Sequence, residues 1–138
     1  MNTWNKSYTR NIEVLPDVIW DVLADTAHWK EWNAGVKSIQ IDGDFVTGTR
    51  FVMELPDGMM IHSQLISVIA PEHFIDESKL DDTIIQVEHR IEPVGKTTSR
   101  VTYAIGVQGA NAQVIGEAVS EDFPSVLECL DKYITQKG

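Results

Sequence analysis

Cysteine and long apolar runs are both scarce in this sequence. Cys129 is the one cysteine among 138 residues, so the chain forms no internal disulfide, and a reducing compartment is favoured. No segment approaches the roughly 18–20 consecutive apolar residues of a membrane span. Residues 1–6 lack the apolar run of a secretory signal. These absences predict a cytoplasmic protein without stable membrane insertion.

Basic residues are also few. The sequence has 11 Lys and Arg against 21 Asp and Glu, a formal net charge of −10. Phosphate backbones repel such a chain, which argues against nucleic acid as a partner. The four histidines and Cys129 show no zinc-type spacing, and the Gly-x-Gly-x-x-Gly and Gly-x-Ser-x-Gly motifs are both absent. We therefore expect no metal and no cofactor.

Length and composition are typical of one globular domain. Hydrophobic residues make up 43% of the chain and charged residues 23%. No repeat, low-complexity tract or linker divides the sequence. We expect a single domain over residues 1–138, and the sequence leaves a monomer and a homodimer both open.

The order of the predicted elements is that of an α+β fold. Residues 3–14 are predicted as a strand, and Pro16 is suited to the first turn of a short helix. A second short helix carries Trp29 and Trp32. Period-two alternation punctuated by turn residues then predicts strands at 36–42, 49–55, 61–69, 73–79, 84–92 and 99–107. Their short connections make consecutive strands antiparallel.

Alternation within these strands assigns one face of the sheet to the core. In the last two strands, apolar residues share one side and polar residues the other, which predicts an apolar inner face and a polar outer face. The 61–69 strand is less regular, because Leu65 and Ile69 favour the side opposite to the other candidates. We assign four of its residues to the inner face: His62, Gln64, Ile66 and Val68.

The last segment is predicted as a long helix. Its apolar stripe runs from Ile115 to Ile134, and Pro124 should kink it near Ser120. Cys129 lies beside the stripe and is interpreted as a core residue.

The two halves of this helix differ in side-chain size. The second half is bulky and can fill the concavity of the sheet. The first half carries small residues that leave space: Ala110, Ala112, Gly116 and Ala118. We infer an apolar cavity there; the alternative is that strand residues such as Phe51 and Tyr103 fill it.

Several segments resemble one known superfamily. The resemblance begins at residues 18–25 and at Trp29-x-x-Trp32-Asn33. It continues through residues 48–51, 66–71 and 91–95, and it covers nearly the whole chain. The chain resembles the START-like (SRPBCC) superfamily, and within it the polyketide cyclase/dehydrase-like proteins, related in fold to the birch pollen allergen.

This resemblance implies a helix-grip fold. Such a fold has a curved, seven-stranded antiparallel sheet wrapped around a long C-terminal helix, with two short helices after the first strand. It also implies a hydrophobic cavity for lipids, sterols, polyketides or other aromatic molecules. No universal catalytic motif comes with the family.

The candidate site residues follow from the predicted inner face. Trp29 and Trp32 either clamp an aromatic ligand or anchor the short helix. Histidine and tyrosine are suited to acid–base chemistry, so His62, His89 and Tyr103 are the catalytic candidates. Asp76 is a weaker one, which would meet a histidine across strands. The predicted ligand-binding residues are Trp32, Phe51, Met53, His62, Gln64, Val87, His89, Tyr103, Ile115 and Val119.

Three functions remain in competition at this point. The first is binding or carrying a small hydrophobic or aromatic molecule. The second is a cyclase, dehydratase or hydrolase that uses the candidate histidines or tyrosine on a polyketide-like substrate. The third is a protein-interaction or chaperone-partner module, which predicts an exposed apolar patch in place of an internal pocket.

Overall fold

The computed structural model describes residues 2–137, with the side chain of residue 137 excepted. Its first strand, β1 (Thr3–Ile12), is followed by helix α1 (Pro16–Leu23) and a 3₁₀ helix (Thr26–Glu31). Pro16 occupies the first turn of α1, as predicted. The remaining strands are β2 (Ser38–Ile41), β3 (Arg50–Glu54), β4 (Met60–Ile69), β5 (His73–Leu80), β6 (Thr83–Pro93) and β7 (Ser99–Gln108). Two helices end the chain, α2 (Ala112–Ser120) and α3 (Phe123–Lys137).

The seven strands form one antiparallel sheet in the order β1-β7-β6-β5-β4-β3-β2. Consecutive strands from β2 to β7 are neighbours, which confirms the predicted meander. β1 is the edge strand at the other end of the sheet and pairs with β7 along its full length, from Thr3 opposite Gln108 to Ile12 opposite Ser99. The predicted α+β architecture is therefore confirmed.

The inner face of β4 corrects the sequence prediction. Ser63 and Leu65 are buried, whereas His62 is exposed on the outer face. Gln64 also lies outside, where its Nε2 donates a hydrogen bond to the carbonyl of Gly48 at 3.0 Å. The inward assignment of His62 and Gln64 was wrong.

A β-bulge between Leu65 and Ser67 explains this error. A bulge places two residues of one strand opposite one residue of its partner, so the alternation changes parity there. Leu65 before the bulge and Val68 after it therefore both reach the core. The conflicting parity noted in the sequence was the signal of this bulge.

The predicted terminal helix is divided in two. α2 ends at Ser120, and α3 begins at Phe123, immediately before Pro124. The interruption lies near the residue where the proline was expected to act, but it is a break between two helices and not a kink within one. α3 is tied to β1 by the Arg10 Nε–Asp131 Oδ2 ion pair at 2.7 Å.

The small residues of α2 do not by themselves create the cavity. Ala112 is buried, and a Cβ on Gly116 would overlap the indole of Trp4. These two positions therefore serve to seat α2 against β1 and its neighbours. Of the four small residues, Ala118 lines the cavity. The prediction that the whole segment leaves space was wrong.

Cys129 is exposed, so its assignment to the core was also wrong. The buried residues of α3 are Val126, Leu127, Leu130 and Ile134. Around a helix of 3.6 residues per turn, residue 129 lies about 160° from Leu127 and about 100° from Leu130, outside the arc that these four residues cover. Among the helices described for residues 2–137, none has the length and hydropathy needed to cross a bilayer.

Candidate functional site

A cavity of about 920 Å³ lies between the inner face of the sheet and the α2–α3 region. Its walls come from the central and outer strands, the segment after the 3₁₀ helix, and the start of α3. Much of the lining is apolar or aromatic, including Trp29, Trp32, Phe51, Val87 and Phe123. This composition is typical of ligand pockets, which combine apolar walls with a few polar groups.

The exposed part of the lining marks the opening. Met59 in the β3–β4 connection is 53% exposed, and Val119 at the end of α2 is 36% exposed. Both line the cavity. In contrast, Phe51 and Tyr103 lie deep and are buried. The cavity therefore opens between the β3–β4 connection and the α2–α3 junction.

Asp76 and His89 are the titratable pair at the inner wall. They lie on neighbouring strands, and Asp76 Oδ2 is 3.9 Å from His89 Nε2, too far for a direct hydrogen bond. The ring of His89 stacks on Phe74, with centroids 4.0 Å apart and planes at 10°. Tyr103 meets the same imidazole edge-on at 4.5 Å. These contacts fix the histidine ring between two aromatic rings.

Burial sets the protonation of these groups. It raises the pKa of Asp76 from 3.8 to about 7, because a carboxylate loses its hydration in an apolar wall. It lowers the pKa of His89 from 6.5 to about 3. Burial and the nearby Asp76 carboxyl also raise the pKa of Tyr103. At pH 6 all three groups are therefore in their neutral forms.

Two buried serines add neutral polar atoms to this wall. Ser63 on β4 and Ser78 on β5 face each other, and their hydroxyl oxygens are 2.6 Å apart. Both line the cavity. Neutral hydroxyls of this kind can donate or accept hydrogen bonds, so they suit a polar group of a bound molecule.

The two tryptophans differ in their hydrogen bonding, and the ligand-clamp role considered for them stays a prediction. Trp29 Nε1 donates a hydrogen bond to the Leu23 carbonyl at 2.8 Å, which anchors the 3₁₀ helix to α1. Trp32 lies just beyond that helix and is 4% exposed, yet its Nε1–H has no hydrogen-bond partner among the described residues. Both rings line the cavity. Trp29 is thus anchored, whereas Trp32 retains a free donor.

The structure brings together most of the residues proposed from the sequence. Seven of them line the cavity: Trp32, Phe51, Met53, Val87, His89, Tyr103 and Val119. Ile115 is outside the lining and packs beside the cluster of Ile85, Val87, Ile105 and Val107. His62 and Gln64 are on the outer face, so neither can contact a molecule in the cavity. Contact of the seven with a ligand stays a prediction.

Sequence reasoning missed several polar residues of the cavity. Ser63 and Ser78 were passed over, although Ser78 shares the parity of Phe74 and Asp76 on β5. Glu121 and Asp122 also line the cavity, but they lie in the break between α2 and α3. Burial raises the pKa of Asp122. Their position depends on that break, which a continuous helical stripe does not reveal.

Comparison with known families identifies the group to which this protein belongs. A family model described as polyketide cyclase / dehydrase and lipid transport matches residues 3–135. The chain belongs to this family. A comparison with curated protein sequences finds no match.

Solved structures of similar fold agree with the START-like resemblance. Protein MLL2253 from Mesorhizobium loti is 15% identical, with a TM-score of 0.83 over 98% of this chain and 99% of its own. A START superfamily protein from Mycobacterium smegmatis is 12% identical, with a TM-score of 0.79 over 97% and 99%. Norcoclaurine synthase from Thalictrum flavum, solved with dopamine and hydroxybenzaldehyde, is 15% identical, with a TM-score of 0.78 over 99% and 89%. At these identities the likeness shows the fold alone.

The predicted helix-grip fold is therefore confirmed. Family and fold together support hydrophobic ligand binding or polyketide cyclase-like chemistry.

Proposed function

We propose that this protein binds and carries a small hydrophobic or aromatic molecule in the cavity between the sheet and the α2–α3 region. The observation that carries the proposal is the cavity of about 920 Å³, open at one end and lined mainly by apolar side chains. This size lies in the range of small-molecule sites. Apolar surface transferred there from water supplies the binding free energy, at roughly 25 cal/mol per Å².

The interaction-module alternative receives less support. It predicted an exposed apolar patch in place of a pocket, whereas the structure has a large apolar cavity that opens at one end. The enzyme alternative has one specific observation in its favour, namely the convergence of Asp76, His89 and Tyr103 on one wall. General acid–base catalysis is most efficient when the pKa of the catalytic group lies near the working pH. Asp76, with its pKa raised to about 7, meets this condition as a proton donor, whereas His89, with its pKa lowered to about 3, is a weak proton acceptor.

Native purification followed by mass spectrometry tests the carrier proposal first. A co-purifying molecule is expected in the soluble protein. A thermal-shift panel of fatty acids, sterols, aromatic polyketides, and neutral and cationic aromatic compounds should contain members whose melting shift grows with concentration. Incubating any bound molecule with the protein and analysing it again separates carriage from catalysis, because a carrier returns it unchanged.

A plugged variant makes this test specific to the cavity. Ala118→Phe places a large ring on α2 at an exposed lining residue beside the opening of the cavity, and Val114→Phe adds one on the same helix at a residue that is 70% exposed and outside the lining. The first should abolish most of the ligand-dependent shift, and the second should retain it. Equal shifts in both variants, or no ligand across the panel, would overturn the carrier function.

A further inference from the structure

The charge of the cavity lining is one-sided. Acidic side chains occur at the inner wall, in the β3–β4 connection and in the α2–α3 break, whereas no Lys or Arg belongs to the part of the lining that the structure describes. His89 supplies no positive charge near neutral pH, since burial lowers its pKa to about 3. The acidic lining residues are Asp57, Asp76, Glu121 and Asp122.

Asp76 is the deepest of these acids and has no cation of its own. Its side chain is 16% exposed, and its nearest titratable partner is His89 at 3.9 Å. Within residues 2–137 its carboxyl accepts no hydrogen bond. A buried carboxylate is costly unless a charge or hydrogen-bond donor pairs with it. Below its raised pKa the carboxyl avoids this cost by staying protonated; above it, a cation or a strong donor that enters the cavity would stabilise the ionised form.

The aromatic lining is also suited to a cation. Trp29, Trp32 and Tyr103 line the same space as Asp76, and the faces of such rings attract positive charge. The Trp32 Nε1–H is a second buried polar group without a partner among the described residues, but it is closed off from the cavity space. The cavity thus offers an acceptor at Asp76 and aromatic surface between apolar walls.

We propose that the preferred ligands are hydrophobic amines, whose protonated nitrogen pairs with the Asp76 carboxylate while the apolar body fills the cavity. This inference rests on the proposed carrier function and narrows it to one class of ligand. It also sets a rejection rule. A fatty acid or other carboxylate would add a negative charge to a cavity whose described lining has four acidic side chains and no Lys or Arg, so its affinity should fall below that of the neutral analogue.

Amine binding should depend on pH through Asp76. The carboxyl must be ionised to pair with the ammonium group, and burial raises the pKa of Asp76 to about 7. Amine affinity should therefore rise between pH 5.5 and 8.5, over which a simple alkylamine stays protonated. The other titratable groups that line the cavity with Asp76 are His89 on β6, Tyr103 on β7, Asp57 in the β3–β4 connection, and Glu121 and Asp122 before α3.

A matched set of three probes tests this selectivity. 2-(1-Naphthyl)ethylamine, 2-(1-naphthyl)ethanol and 1-naphthaleneacetate share one aromatic body and differ in charge. Titration calorimetry at pH 8 should give at least tenfold tighter binding for the amine than for the acetate, with the alcohol between them. Asp76→Asn should weaken binding of the amine about tenfold and remove the pH dependence of that binding. The affinity for the alcohol should stay within about twofold of its original value.

Asp82→Asn is the matched control, because it removes the same charge from an exposed turn between β5 and β6, outside the cavity lining. It should leave all three affinities unchanged. If the alcohol binds and the acetate binds as tightly as the amine or more tightly, the amine preference is overturned and the carrier function stands. Failure of all three probes to bind overturns the carrier function together with it. If Asp76→Asn does not fold, the pH profile of amine binding to the unaltered protein decides, since a flat profile overturns the role of Asp76.

Discussion

Asp76 on β5 and His89 on β6 are diagonal neighbours in the sheet, with Asp76 Oδ2 3.9 Å from His89 Nε2, and both side chains are neutral near pH 6. In water, the carboxyl of an aspartic acid so close to a histidine would transfer its proton to the imidazole and form an ion pair. Here the apolar wall disfavours both charged forms, so the proton stays on the carboxyl. This pair gives the cavity a buried acid whose pKa lies near neutral pH, and it makes stability depend on pH in two opposite senses.

The first prediction concerns Asp76→Asn. The folded pKa of Asp76, about 7, lies above the unfolded value of 3.8. Between these values the unfolded chain has released its proton and the folded chain has not, so this group makes stability fall as pH rises. As pH rises from 4 to 8, the free energy of unfolding of Asp76→Asn should increase by up to about 4 kcal/mol relative to that of the unaltered protein. Urea unfolding across this range measures the difference, and a constant offset would contradict the assignment.

The second prediction concerns His89→Phe and has the opposite sign. The folded pKa of His89, about 3, lies below the unfolded value of 6.5. The unfolded chain therefore binds a proton first as pH falls, and the protein loses stability from pH 6.5 towards 3. His89→Phe keeps a ring against Phe74 and should reduce the loss of unfolding free energy at acid pH by a few kcal/mol. His62→Phe, on the exposed outer face of β4, is the control and should keep the original profile.

The third prediction concerns the contact of Gly116 with Trp4. A Cβ at residue 116 would overlap the indole ring, so Gly116→Ala should cost about 1–3 kcal/mol even though alanine favours a helix by about 1 kcal/mol. Gly95→Ala is the control, because its Cβ would meet Thr98 at an ordinary 3.8 Å. Chemical denaturation measures both. Recovery of stability when Trp4→Phe is added to Gly116→Ala would locate the strain at this contact.

The architecture could be predicted from the sequence because local signals agreed with each other. Turn residues separated six alternating segments, Pro16 marked the first helix, and short connections required antiparallel neighbours. The sheet order from β2 to β7 follows from these features. The pairing of β1 with β7 brings together the first and the last strand in the sequence. No local pattern specifies such a long-range contact.

The cavity could be predicted only in outline. Alternation placed Val87, His89 and Tyr103 on the inner face, where the structure has them. It failed for His62 and Gln64 because one bulge reverses parity within β4. The protonation of Asp76 could not be foreseen at all, since it depends on how completely the surrounding tertiary structure removes its carboxyl from water.

The last prediction follows from the corrected position of Cys129. The thiol is exposed on α3, so a maleimide should label the folded protein within about tenfold of the rate for the unfolded chain. A core cysteine would instead react only through global opening, slower by a factor of 10³ or more for a protein of ordinary stability. Since the chain has no other cysteine, intact-mass spectrometry reports this one residue, and Cys129→Ser supplies the blank. Slow labelling that accelerates with urea would return Cys129 to the core and require α3 to be rotated about its axis.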